Sequence, residues 1–160
     1  MSHSSNILFA GILMKIAIGS DHAGVHLKKL IIEKFKDIDF DDVGTHSEDS
    51  CDYPDYAAKA CYKVRDGLAD AGIVICGSGV GISIAANKVK GIRAALCFNS
   101  YMAEMSKRHN NANVLALGAR VIGQDVALDI VEKWIKAPFE GGRHQNRIDK
   151  ITGIENKECQ

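Results

Sequence analysis

The stretch Val74-Ile75-Cys76-Gly77-Ser78-Gly79-Val80-Gly81 carries a thiol, a hydroxyl and three alternating glycines. Ile73-Val74-Ile75 has the composition of a buried strand, and Ile82 to Asn87 reads as a helix. A strand, a glycine-rich turn and a helix N-terminus make an anion site from backbone N–H groups and the helix dipole. A thiolate is favoured beside such a terminus, so Cys76 is a candidate base. The turn is not the dinucleotide pattern, because Gly81 follows Gly79 too soon. It also lacks the Lys-Ser/Thr end of a phosphate-binding P-loop. A free cysteine most often only packs in the core. Cys61 and Cys97, on a helix stripe and in a strand, suit that fate, whereas Cys76 closes a strand and faces a helix start.

Three other groups bear chemistry. Asp21-His22 directly follows an apolar strand, where Asp is also a good helix N-cap. His22 and His26 have helical spacing, but no His-Glu-x-x-His pattern or third ligand accompanies them, which argues against a metal site. His22 is then better read as a phosphate or hydroxyl contact. Arg143 and Arg147 lie one helical turn apart, hence on one face, after the flexible Gly141-Gly142. Two guanidiniums so placed match a phosphate by fork geometry, although most basic clusters are only solvated faces. Arg120, at a strand end, is a further candidate. His109, within Arg108 to Asn113, precedes a strand and so belongs at the rim opposite Cys76. If it is catalytic, it serves the site of a neighbouring subunit.

Strand and helix signals alternate along the chain. Strands are expected at Lys15–Gly19, Ile38–Val43, Gly72–Cys76, Ile92–Cys97 and Asn113–Gly118, with amphipathic helices between them. The acidic second strand suits a sheet edge. This alternation implies an α/β fold with a parallel sheet covered on both faces. Ligands of such sheets bind beyond the carboxyl ends of the strands. Those ends carry Ser20-Asp21-His22, Cys76-Gly77-Ser78, Phe98-Asn99 and Ala119-Arg120.

The 160 residues suffice for one domain with a real core. Residues 14–155 are expected to form it, after a disordered extension at 1–13 and before a frayed tail at 156–160. The apolar run Ile7 to Met14 lacks a preceding Lys or Arg and is short for a signal peptide, and a natural start near Met14 is the simpler reading. No window is long enough to span a membrane. Formal net charge is zero, which gives no reason to expect nucleic acid. Five cysteines without a Cys-x-x-Cys spacing argue against a disulfide framework and for a reducing compartment, the cytoplasm.

Several segments together resemble ribose-5-phosphate isomerase type B, a sugar-phosphate isomerase family. They are Gly19-Ser20-Asp21-His22-Ala23-Gly24, Asp52-Tyr53-Pro54, Cys76 through Lys88, Gly91-Ile92-Arg93-Ala94, His109-Asn110, Asn113 through Gly118 and Glu140-Gly141-Gly142-Arg143-His144. The ordered set spans about residues 14 to 153. The resemblance implies a Rossmann-like three-layer α/β/α sandwich with a five-stranded parallel sheet. It implies a homodimer with active sites at the interface, sometimes paired into tetramers, and no metal or cofactor. The implied reaction interconverts ribose 5-phosphate and ribulose 5-phosphate through an enediolate, in the non-oxidative pentose phosphate pathway. Cys76 would then be the base, Ser78 would help move protons, and backbone N–H groups of Gly77, Ser78, Gly79, Val80 and Gly81 would hold the enediolate. Asp21 and His109 would assist ring opening, while Tyr53 and Asn110 contact the sugar. His22, Arg120, Arg143, Arg147 and His144 would hold the phosphate. Two rival readings are a six-carbon isomerase, such as one acting on allose 6-phosphate, and a non-catalytic phosphate-binding module.

Overall fold

The computed structural model describes residues 8–9 and 12–158. Leu8–Phe9 (β1) pairs antiparallel with Ile12–Leu13 (β2), so part of the extension expected to be disordered is a short ribbon. Its other residues, 1–7 and 10–11, lie outside the described ones.

The main sheet contains β3 (Lys15–Ser20), β4 (Asp39–Asp42), β5 (Ala71–Cys76), β6 (Ala94–Leu96) and β7 (Val114–Gly118). All pairs are parallel, in the order β4-β3-β5-β7-β6. The acidic strand β4 lies at an edge, where one side of its ladder is open to water. The helices are α1 (Val25–Lys34), α2 (Tyr53–Arg65), α3 (Val80–Ala86), α4 (Ser100–Arg108), α5 (Gln124–Lys136) and α6 (Arg143–Glu158). The tail expected to fray from 156 continues α6 through Glu158.

Alternation along the strands sorts the core into two unlike layers. Ile16, Ile18, Ile73, Ile75, Leu115 and Leu117 point to one face, against α1, α4 and α5, with Trp134 fully buried there. Ala17, Val74, Cys76, Val114 and Ala116 point to the other, against α2 and α3. The second layer is built of small side chains, including Ala57, Ala60 and Ala86. Its helices therefore approach the sheet closely, and Cys76 lies on that side.

The fourth strand is shorter than Ile92–Cys97. The Arg93 N–H is taken by the Asn113 side chain at 2.8 Å, and its carbonyl accepts from both Asn113 and Val114. A side chain thus replaces the ladder at the strand's start.

Candidate active site

Strand ends at the carboxyl rim assemble one group of residues. Asp21 follows β3; its N–H donates to Ile75 O at 3.1 Å, which fastens it beside the end of β5. Its Oδ1 accepts the Ala23 N–H at 3.0 Å and caps a short 3-10 turn, His22–Gly24. Asp21 is buried, while His22 is half-buried. His22 Nδ1 accepts the Cys51 N–H at 3.3 Å, which leaves the proton of a neutral ring on Nε2.

Cys76 closes β5 with 4% of its surface exposed. Its sulfur accepts the Gly79 N–H at 3.1 Å. Ser78 is exposed, and its Oγ accepts the Val80 N–H at 3.2 Å. Two of the five loop amides expected to hold an enediolate are thus engaged within the loop. Among the described residues no acceptor meets the Gly77, Ser78 or Gly81 N–H, so those three donors remain open to a ligand.

Three glycines explain why this loop can be so tight. Gly79 has φ +78°, and a Cβ there would lie 2.5 Å from Leu96 Cδ1 and 2.9 Å from Gly118 N. A Cβ on Gly81 would strike the Tyr53 ring at 2.6 Å, so the phenol lies directly on the start of α3. Gly77 lies beneath Arg120, whose N–H donates to Gly77 O at 2.9 Å. Asp21, His22, Tyr53, Cys76, Ser78 and Arg120 accordingly share one rim.

His109, Asn110, Arg143, His144 and Arg147 do not join them. His109 caps the end of α4 and precedes β7. Cys76 is paired with Gly118 at the far end of that strand. The length of β7 alone separates the two rims by about 13 Å. The second group is organised around Glu140, a residue that carries no signal in the sequence beyond its place before Gly141-Gly142. Glu140 Oε1 accepts from Arg108 Nε at 2.6 Å and NH2 at 2.5 Å. Its Oε2 lies 3.7 Å from His109 Nε2 and 3.4 Å from His144 Nε2. The two imidazoles stack with centroids 4.2 Å apart and planes 7° from parallel. His144 is buried under this stack, while Arg143 and Arg147 are exposed on α6. Gly141 and Gly142 both adopt left-handed backbone with open space around them, so they serve the turn into α6.

Electrostatics separates the two histidine partners. Arg108 holds the Glu140 carboxyl below its ordinary range, first by hydrogen bonding. Burial pushes the His144 imidazole below its ordinary value, with His109 and Arg143 adding to the effect and Glu140 opposing it. His109, Glu140 and His144 offer three ligand atoms within 4.8 Å, a set of the type that holds zinc. Two parallel rings, however, do not direct their in-plane lone pairs at one shared ion. The arrangement fits a charge cluster better than a metal centre. No helix among the described residues is long and apolar enough to cross a membrane.

Similar sequences and the same fold recur in known proteins. The family model described as Ribose/Galactose Isomerase matches residues 16–151. Ribose-5-phosphate isomerase B of Escherichia coli (strain K12) is 48% identical over 147 residues, covering 91% of this chain and 99% of its own. A structure of Clostridium thermocellum ribose-5-phosphate isomerase B superposes with a TM-score of 0.89 at 58% identity, covering 91% of this chain and 99% of that one. The Mycoplasma genitalium ribose-5-phosphate isomerase B, solved with bound ribulose-5-phosphate, has a TM-score of 0.84 at 46% identity, covering 89% and 97%. The match takes in every strand of the main sheet and both rim groups, and the chain belongs to the ribose/galactose isomerase family.

Proposed function

We propose that this protein is an aldose–ketose isomerase that interconverts ribose 5-phosphate and ribulose 5-phosphate without a metal or cofactor. The observation that carries the reading is the carboxyl-rim loop. It holds a cysteine, a serine and three unengaged amide donors within one strand–turn–helix. The relative solved with ribulose-5-phosphate supports the substrate class.

Each residue type suits one step. The furanose opens when the bond between C1 and the ring oxygen breaks. The ring oxygen gains a proton from His109, and Asp21 receives the proton of the C1 hydroxyl. Cys76, as thiolate, then takes the C2 proton and returns it to C1. Ser78 moves the proton between the O1 and O2 oxygens, so the reaction is redox-neutral overall. A proton next to a carbonyl is weakly acidic, and the base alone is not enough. The larger contribution comes from preorganised donors on the developing oxyanion, worth about 3 kcal/mol each. The Gly77 and Ser78 amides suit that task. Tyr53 and Asn110 contact the sugar, and His22, Arg120, Arg143 and Arg147 take the phosphate, whose binding orients the reacting carbons. His144, buried in its stack, is the least accessible of these phosphate candidates.

One chain separates Cys76 from His109, so the working unit is a homodimer in which each site takes one rim from each subunit. Apolar Val80, Ile84, Tyr101 and Met102 are exposed on α3 and α4, which supports a covered surface there. Cys51, Cys61, Cys76 and Cys97 are all free thiols, which fits a cytoplasmic setting.

The test is turnover of ribose 5-phosphate in EDTA, beside Cys76→Ala. The wild type is expected to form ribulose 5-phosphate, and Cys76→Ala to lose at least about 100-fold in kcat, the range of a lost general base. Turnover of allose 6-phosphate in place of ribose 5-phosphate would transfer the reading to a six-carbon substrate. A wild-type rate in Cys76→Ala would remove the thiol from the mechanism.

A further inference from the structure

We infer that Glu140 is a positioning residue, clamped by Arg108, that holds His109 and His144 in register and supplies the one negative charge facing them. The inference rests on the proposed part of His109 in ring opening. Glu140 divides its two oxygens: Oε1 is spent on Arg108, while Oε2 faces both Nε2 atoms at 3.7 and 3.4 Å. Its backbone N–H also donates to Arg108 O at 3.0 Å, so main chain and side chain are pinned to the same residue. Although Glu140 is exposed, this double attachment holds its carboxylate against the histidines.

The surroundings make that charge decisive. The groups of this cluster are His144, stacked on His109, Arg108 from α4, which also pairs with Glu104 at 2.9 Å, and Arg143 and Arg147 from α6 beside His144. Apart from Glu104, which meets Arg108 and not the rings, all of these are cationic or become so on protonation, and Glu140 is the anion that faces the imidazoles. An imidazole that gives a proton to a sugar oxygen must first hold it. Without Glu140 the protonated ring would lose the carboxylate that faces it, and Arg108 would be held by Glu104 alone. The stack adds a geometric constraint, since His144 is buried and cannot move aside. Glu140 and His144 together thus fix the plane in which His109 presents its ring.

The experiment measures kcat and KM for the whole protein with ribose 5-phosphate in Glu140→Gln, Glu140→Asp, His109→Asn and the double variant Glu140→Gln/His109→Asn. A thermal melt of each comes first. Glu140→Gln keeps the shape and removes the charge. It is expected to lower kcat about 10-fold, part of the full effect of a general acid, with KM within about 2-fold of wild type. The alkaline side of its kcat–pH profile should move to lower pH, because the histidine pair has lost the carboxylate that favours its proton. Glu140→Asp, which retains the charge, should recover part of the rate. The double variant should match His109→Asn alone, the signature of two residues acting through one. A Glu140→Gln loss that persists undiminished beside His109→Asn would overturn the inference, as would a wild-type kcat and pH profile in Glu140→Gln. A wild-type kcat in His109→Asn would instead overturn the part given to His109, and this inference with it. If Glu140→Gln melts early, the comparison passes to Glu140→Asp, whose rate must exceed that of His109→Asn for the inference to stand.

Discussion

Among the thiols, Cys61, Cys76 and Cys97 are all buried, and what separates them is what each sulfur meets. Burial pushes Cys61 up to about 12. It pushes Cys97 up to about 11, against a smaller opposing hydrogen bond from Ser106. Both therefore stay protonated at neutral pH and react slowly, since the thiolate is the nucleophile. Cys76 ends at a loop whose amides face it. Iodoacetamide at pH 8 should accordingly leave Cys61 and Cys97 unmodified in the native protein. Peptide mapping should show activity falling in step with alkylation of Cys76, and ribose 5-phosphate should slow both. Inactivation that instead follows Cys51, with Cys76 intact, would place the sensitive thiol beside His22. The rim residues Asp21, His22, Cys76, Ser78 and Arg120 were legible in the sequence because a parallel sheet exposes its carboxyl ends. Glu140 and Arg93 fall in segments that carry the family resemblance, but their roles were not legible. Arg93 donates to the carbonyls of Asn110 and Asn111 at 2.8–3.1 Å and so shapes the loop beside His109. Such side-chain-to-backbone clamps join residues 17 or 18 positions apart, and no local periodicity records them.

At the scale of elements, the β5–α3 connection bears the most demanding geometry. Gly79 and Gly91 share left-handed backbone, φ +78° and +81°, but differ in surroundings. A Cβ at Gly91 meets nothing within 4 Å, whereas one at Gly79 would press on Leu96 and the backbone of β7. Gly91→Ala is expected to cost about 1–2 kcal/mol, the backbone penalty alone. Gly79→Ala adds an overpacking penalty of about 1–3 kcal/mol and displaces the N–H that reaches Cys76. Urea unfolding of the two variants checks this, and equal losses would mean that the close packing of the loop is unimportant. The sequence marks Gly79 through its neighbours, a strand end before it and a helix after it. It does not mark which glycine needs its hydrogen for space, because that depends on Leu96 and Gly118, brought in by other strands. The edge position of β4 was readable for the opposite reason, since Asp39, Asp41 and Asp42 would be costly on a central strand; Asp39 is exposed, while Asp41 and Asp42 are half-buried and paired with Lys63 and Lys28.

For the whole molecule, the separation of the two rims makes a quantitative prediction about assembly. Consider Cys76→Ala and His109→Ala, each inactive alone, mixed in equal amounts under conditions that exchange subunits. If each site combines Cys76 of one chain with His109 of the other, a mixed dimer holds one site with both defects and one with neither. Random pairing makes half of the dimers mixed, so activity should return to about one quarter of wild type. If instead one chain supplied both groups, every site in every dimer would carry a defect and the mixture would stay inactive. Exchange must be shown independently, for example by native mass spectrometry of a tagged partner. The parallel order of β5 and β7 makes the second outcome difficult to reconcile with the fold. His109 would have to cross the length of β7, about 13 Å, past a strand whose residues are all buried. Inactivity of the mixture with exchange proven would therefore make the loss in His109→Ala a structural one, leaving Cys76, Ser78 and Asp21 to open the ring and move the proton within one rim.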